Sequence, residues 1–182
     1  MNREAVRRRF TLLDAMVLVA ATAVGIAAAQ GSAEPIRRSL LGLTTFSQPL
    51  RFLVVASPLL TPWSVALLGL ALRPPRPPLR RLLGRPGIAA LMASPVLAPL
   101  VAIRVAIILR SVPINARGEY GIRLFWLNLI PAVDSAVAVA WLSIWLGGRW
   151  RRSADWIDAA GRALGLAWFA TDLALQLRWW AA

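Results

Sequence analysis

The sequence predicts an all-α integral membrane helical bundle, with four transmembrane helices and a C-terminal amphipathic helix in one membrane domain of 182 residues. Three observations carry that expectation. The chain is 58% hydrophobic and 16% charged with a mean hydropathy of +0.62, whereas a soluble domain is about 45–50% apolar and about 25% charged. The apolar excess has to be buried in something other than the protein's own core, and lipid supplies it. Four apolar runs each approach the about 20 helical residues needed to cross a hydrocarbon core about 30 Å thick. The cations, all of them arginine, lie almost entirely between those runs.

The first run, residues 11–29, follows Arg7, Arg8 and Arg9. It exceeds the usual 7–15 apolar residues of a signal peptide, and more spans follow, so it reads as a retained first span. Thr11 with Asp14 three residues on forms a capping box that starts this helix. The second run, 52–72, and the third, 87–109, share a repeat. Ala56-Ser57-Pro58-Leu59-Leu60-Thr61-Pro62 matches Ala93-Ser94-Pro95-Val96-Leu97-Ala98-Pro99, and each copy reaches an arginine eleven residues after its last proline, at Arg73 and Arg110. Proline removes an amide and displaces the carbonyl four residues earlier, so Pro58, Pro62, Pro95 and Pro99 are expected to kink their helices near mid-membrane. Ser57, Thr61 and Ser94 are placed to satisfy the freed carbonyls. The fourth run, 124–146, carries Asn128, Pro131 and Asp134.

The last stretch, 153–178, has Ser153 as a candidate cap, Asp155 and Asp158 in its first turn, and Arg162 four residues after Asp158. Asp158, Arg162, Gly165, Asp172 and Gln176 make a polar stripe, with Trp156, Leu164, Trp168 and Leu175 among the residues covering the rest. An amphipathic helix lying in the membrane interface fits this pattern, with a fifth span over 163–180 as the alternative.

Orientation follows from arginine placement, because short cationic loops resist translocation. The N-terminus, the 73–86 connector and the segment after the fourth span hold twelve arginines, and the 30–51 and 110–123 connectors hold six. That asymmetry predicts an inner-membrane, multi-pass protein with a cytoplasmic N-terminus. Trp145 and Trp150 then fall at the inner interface and Trp126 at the outer one. Arg73, Arg76, Arg80, Arg81, Arg85, Arg149, Arg151 and Arg152 are candidate lipid-phosphate contacts. The connector Arg73-Pro74-Pro75-Arg76-Pro77-Pro78-Leu79-Arg80-Arg81 favours polyproline II. A net charge of +13 would suit nucleic acid if the arginines formed one face of a folded domain. Their distribution between spans argues for lipid instead, so the expected partners are anionic membrane lipids, other membrane proteins or further copies of the chain, and not nucleic acid.

The chain contains no His, Cys or Lys. Imidazole or thiolate zinc sites, His-ligated haem, cysteine nucleophiles, lysine Schiff bases and Ser-His-Asp triads cannot be built from it. No cofactor and no catalytic residue is expected. Charges within spans are costly and become functional candidates, which singles out Arg104 in the third run and Asp134 in the fourth. By depth these two are expected to pair, with Asn128 as a further acceptor.

Residues 9–20, Arg9-Phe10-Thr11-Leu12-Leu13-Asp14 and onward, show the Phe-Thr-Leu opening and the acid of a prepilin signature. Arg9 stands where prepilin peptidase needs Gly, and pilins have one apolar segment, so that identity is rejected. The same opening, together with Ser153-Ala154-Asp155-Trp156-Ile157-Asp158-Ala159-Ala160-Gly161-Arg162-Ala163-Leu164-Gly165, resembles small multi-span membrane proteins of planctomycetal bacteria. The resemblance is confined to these stretches and implies no activity. The expected role is a non-enzymatic accessory or assembly protein, small residues such as Ala20, Ala21, Ala23, Gly25, Ala28 and Gly31 allowing close helix approach. The alternative is a small oligomeric transporter or channel built on the proline-interrupted second and third helices.

Overall fold

A computed structural model describes residues 10–40, 54–74, 84–148, 150 and 155–180. Within them the chain is an all-α bundle: α1 (Leu12–Leu40), α2 (Leu60–Leu72), α3 (Pro86–Leu109), α4 (Arg117–Leu146) and α5 (Trp156–Trp180). A short 3-10 turn, Ser57–Leu59, leads into α2, and another, Ile114–Ala116, leads into α4. Four stretches are long and apolar enough to cross a membrane: Leu12–Ile36, Val54–Leu72, Pro86–Leu109 and Arg117–Leu146.

Helix α1 starts as the local sequence dictates. The N–H of Thr11 donates to Asp14 Oδ2 at 3.0 Å and the N–H of Asp14 donates to Thr11 Oγ1 at 3.3 Å, the reciprocal pair of a capping box. Helices α1 and α4 extend beyond the apolar runs expected at 11–29 and 124–146, taking in residues 30–40 and 117–123. Hydropathy marks where lipid could lie. Helical hydrogen bonding continues past that limit wherever no residue forbids it, as through Gln30 to Glu34.

The proline repeat gives two different local structures. At Pro58 the helix tightens into the 3-10 turn, and the carbonyl of Val54, which Pro58 cannot serve, accepts from Ser57 Oγ at 2.8 Å. In the second copy α3 stays α-helical through Pro95 and Pro99. The hydroxyls of Ser94 and Thr61 are buried and make no hydrogen bond among the described residues, so of the three expected carbonyl partners only Ser57 acts as one.

Helix α3 is central, packed on α2, α4 and α5, and α1 packs on α2 and α4. One apolar cluster joins Val101 and Val105 of α3, Leu129, Ile130, Val133 and Val137 of α4, and Trp168, Ala174 and Leu175 of α5. The spacing of the α4 members at three and four residues is what lets one helix face bury them together. A second cluster joins Leu67, Leu70 and Ala71 of α2, Ile88 and Leu91 of α3, and Ile157 of α5. Trp126 belongs to the first cluster and is buried, not placed in an outer aromatic belt; Trp145 is exposed.

The last helix departs most from expectation. It does not lie across one end of the bundle. Near its start, Asp158 meets Gly87 at the beginning of α3, and near its other end Leu175 lines a small void with Ile36, Val54, Arg123 and Trp126. Its 25 residues, about 38 Å at 1.5 Å per residue, therefore follow the long axis of the bundle. The physical reason is that the two acids of its polar stripe, Asp158 and Asp172, are buried inside the protein. Asp158 is 1% exposed, Asp172 is 4% exposed, and Trp168 is fully buried. The expected cap, Ser153, lies outside the described residues; Asp155 Oδ1 accepts from the N–H of Asp158 at 2.9 Å at the start of the helix, which opens at Trp156.

Candidate functional site

Two groups of polar residues are built into the bundle. The first ties the starts of α3 and α5 together. Gly87 is the second residue of α3, where backbone amides lack intrahelical acceptors, and its N–H donates to Asp158 Oδ1 at 2.9 Å. Asp158 thus caps a helix other than its own, with the favourable sign for a helix N-terminus. Its other oxygen accepts from Arg162 Nη2 at 2.9 Å, the four-residue pair expected from the sequence. Arg85 Nη1 reaches Asp155 Oδ2 at 2.6 Å, Trp141 Nε1 donates to the carbonyl of Pro86 at 2.8 Å, and Arg162 lies 5.4 Å from the centre of the Trp150 ring. Phe10 packs edge-on against Trp156 at 5.1 Å, bringing α1 to the same end.

Glycine makes this approach possible. A Cβ on Gly87 would stand 2.0 Å from the carbonyl oxygen of Asp158, and one on Gly161 would stand 2.4 Å from the carbonyl oxygen of Gly87. Gly165, four residues after Gly161, faces Ala90 and the Trp141 ring in the same way. This is a small-xxx-small face. The sequence shows Gly161 and Gly165 at that spacing, and the signal lies there rather than in the alanines of α1, of which Ala20 and Ala23 are exposed and Ala21 is buried. Gly25 does serve close packing, since a Cβ there would come 3.0 Å from Leu59 Cα.

The second group lies along the bundle axis. Asp134 of α4 has its Oδ1 buried without a hydrogen-bond partner among the described residues, and Asp172 of α5 is close enough for the two charges to interact. Asp172 accepts from Gln176 on its own helix. Ser94 Oγ and Trp168 Nε1 are likewise buried without a partner.

The expected Arg104–Asp134 pair does not form. Arg104 is exposed on α3 and makes no ion pair among the described residues, while Val101 and Val105 take the inward face. Asn128 donates from Nδ2 to the carbonyl of Leu124 at 2.8 Å, along its own helix, and serves neither residue. Depth alone brought Arg104 and Asp134 together; direction around the helix separates them. Arg104 sits five residues before Leu109, about 8 Å from the end of its helix, within reach of a lipid phosphate for a snorkelling side chain.

Among the candidate lipid-phosphate arginines, Arg73 is exposed at the end of α2 and Arg85 is engaged by Asp155. Arg76, Arg80, Arg81, Arg149, Arg151 and Arg152 lie outside the described residues. Pro58 is buried in the 3-10 turn, Pro62 and Pro95 are half-buried and Pro99 is exposed, so the four prolines line no common site. No group of three or more potential metal ligands occurs among the described residues. No family model, curated protein or solved structure matches the chain.

Proposed function

We propose that the protein is a non-enzymatic accessory or assembly protein of the inner membrane, with its N-terminus in the cytoplasm. The observation that supports this reading most directly is the contrast between interior and outer face. Leu67, Leu91, Leu129, Val133, Val137 and Trp168 fill the interior at 0% exposure, so the two core clusters are apolar and closely packed. Helix α1 is the least buried of the four span-length stretches, and Met16, Val19 and Val24 stand out from it. Such a helix can be covered by lipid or by a helix of another protein, and the small Ala20 and Ala23 beside those residues favour close approach by a helix. The twelve-to-six arginine asymmetry supports the orientation.

The test is a photo-crosslinking residue at Ala23 in the full chain, in native membranes. A discrete adduct of fixed mass from Ala23, absent from the same probe at the outward-facing Ile107, supports the reading. Equal lipid-only labelling at both positions removes it.

A second reading, a small oligomeric transporter or channel, draws on Asp134. A buried carboxylate oxygen without a partner, near a second carboxylate, is the arrangement expected of a proton- or cation-handling site in a membrane. Proton or monovalent-cation flux into vesicles containing the purified protein, abolished by Asp134→Asn, would favour it. Vesicles as tight as protein-free ones would exclude it.

A further inference from the structure

We propose that the groove between α1 and α2 is a binding site for one anionic phospholipid, its acyl chain against the apolar walls and its headgroup phosphate at Arg73. The proposal rests on the membrane placement of the bundle and is independent of the accessory role. The groove is an open furrow on the outer surface of the bundle, with a volume of about 450 Å³. Leu13 and Val17 of α1 form one wall, and Val65, Gly69 and Leu72 of α2 form the other. From Val65 to Arg73 the groove follows about 12 Å of helix, enough for a stretch of acyl chain lying along the axis. Gly69 deepens it: a Cβ at this position would meet nothing within 4 Å.

Charge selects the occupant. Arg73 closes one end of the groove, is exposed, and has no ion pair or side-chain hydrogen bond among the described residues. Arg85 and Arg162, by contrast, are already bound to Asp155 and Asp158. Leu13 on the facing wall belongs to the first turn of α1, so the positive end of that helix dipole lies beside Arg73. The only acid in that turn, Asp14, is fully buried and turned to the Thr11 amide. The sequence adds Arg7, Arg8 and Arg9 immediately before α1 and Arg76 three residues after Arg73. A phosphodiester above an apolar slot matches this pattern, and a zwitterionic choline headgroup places a cation where the groove already has one. Each arginine near an anionic surface contributes about 1 kcal/mol, about a fivefold preference when the attraction is concentrated at one phosphate.

Native mass spectrometry of the full-length protein in mild detergent tests this, with dioleoylphosphatidylglycerol and dioleoylphosphatidylcholine as probes. One phosphatidylglycerol is expected to bind about fivefold more tightly than phosphatidylcholine. Arg73→Gln should bring the two lipids to within about twofold. Gly69→Leu places an apolar side chain in the groove from a position where a Cβ has open space, and should remove most of the tightly bound lipid while the helical circular dichroism is unchanged. A free phosphate site would ignore Gly69→Leu, and a general arginine atmosphere would ignore Arg73→Gln. Equal binding of both lipids by the wild type, or binding unaltered by either substitution, overturns the proposal. A protein that fails to extract with membranes at all would instead overturn the membrane placement.

Discussion

Asp158 shows how much one side chain can organise. It is almost fully buried, it caps the start of α3 through the Gly87 amide and it holds Arg162. Hydrogen bonds to a charged group contribute about 1.5–3 kcal/mol each, and a buried donor left unmade costs its desolvation as well. Asp158→Ala should therefore lower stability by about 2–4 kcal/mol in detergent melts followed by circular dichroism. Arg85→Gln should cost about 1 kcal/mol or less, because the Arg85–Asp155 pair is partly solvent-exposed. Equal losses from the two would mean that the cap on α3 adds nothing. Gly161 gives a steric counterpart. An added methyl would meet the backbone of Gly87, which cannot move without parting α3 from α5, so Gly161→Ala should cost about 1–3 kcal/mol. Gly31→Ala, with open space at Cβ, should be neutral or slightly stabilising, since alanine favours a helix.

At the scale of elements, the two copies of the proline repeat differ in how their backbone groups are satisfied, and that difference can be measured. Ser57 Oγ serves the carbonyl that Pro58 leaves without a donor, whereas Ser94 Oγ is buried with no partner among the described residues. Ser57→Ala should destabilise by about 1 kcal/mol, and Ser94→Ala should be neutral or stabilising because it removes an unmet hydroxyl from an apolar site. Identical effects of the two substitutions would contradict the asymmetry. The sequence made the start of α1 legible because a capping box is complete within four residues, Thr11 to Asp14, and it made the four long apolar helices legible because lipid-compatible runs need no partner to be recognised. It did not reveal that Arg104 points outward or that Asn128 folds back on Leu124, because side-chain direction depends on which helix face the neighbours occupy. The polar stripe of α5 misled for a related reason. Asp158, Arg162, Asp172 and Gln176 look solvent-facing in a one-helix projection, yet Asp158 and Asp172 are buried once α3 supplies an amide and Gln176 supplies a donor.

For the whole molecule, the course of α5 decides where the chain ends. Phe10, Arg85, Trp150 and Asp158 gather at one end of the bundle, while Ile36, Val54, Arg123 and Leu175 gather at the other. A chain whose first four long helices cross a membrane in alternation and whose fifth runs beside them ends on the side opposite its start. The cost is an aspartate within the membrane, about 2.5–3.5 kcal/mol at mid-depth on insertion scales, and Asp172 lies eight residues from Trp180, about 12 Å from that end and bonded to Gln176. Laying α5 flat would remove Trp168, Ala174 and Leu175 from the core. Fully burying a large apolar side chain such as Leu175 contributes about 1.5–3 kcal/mol, so the lengthwise placement is favoured wherever lipid does not compensate. Introduced cysteines report cleanly because the native chain has none. A cysteine at Pro77 should be shielded from an impermeant thiol reagent in intact cells, and one placed after Ala182 should be labelled. Labelling of neither would return α5 to the cytoplasmic face, and labelling of Pro77 alone would reverse the orientation drawn from the arginines.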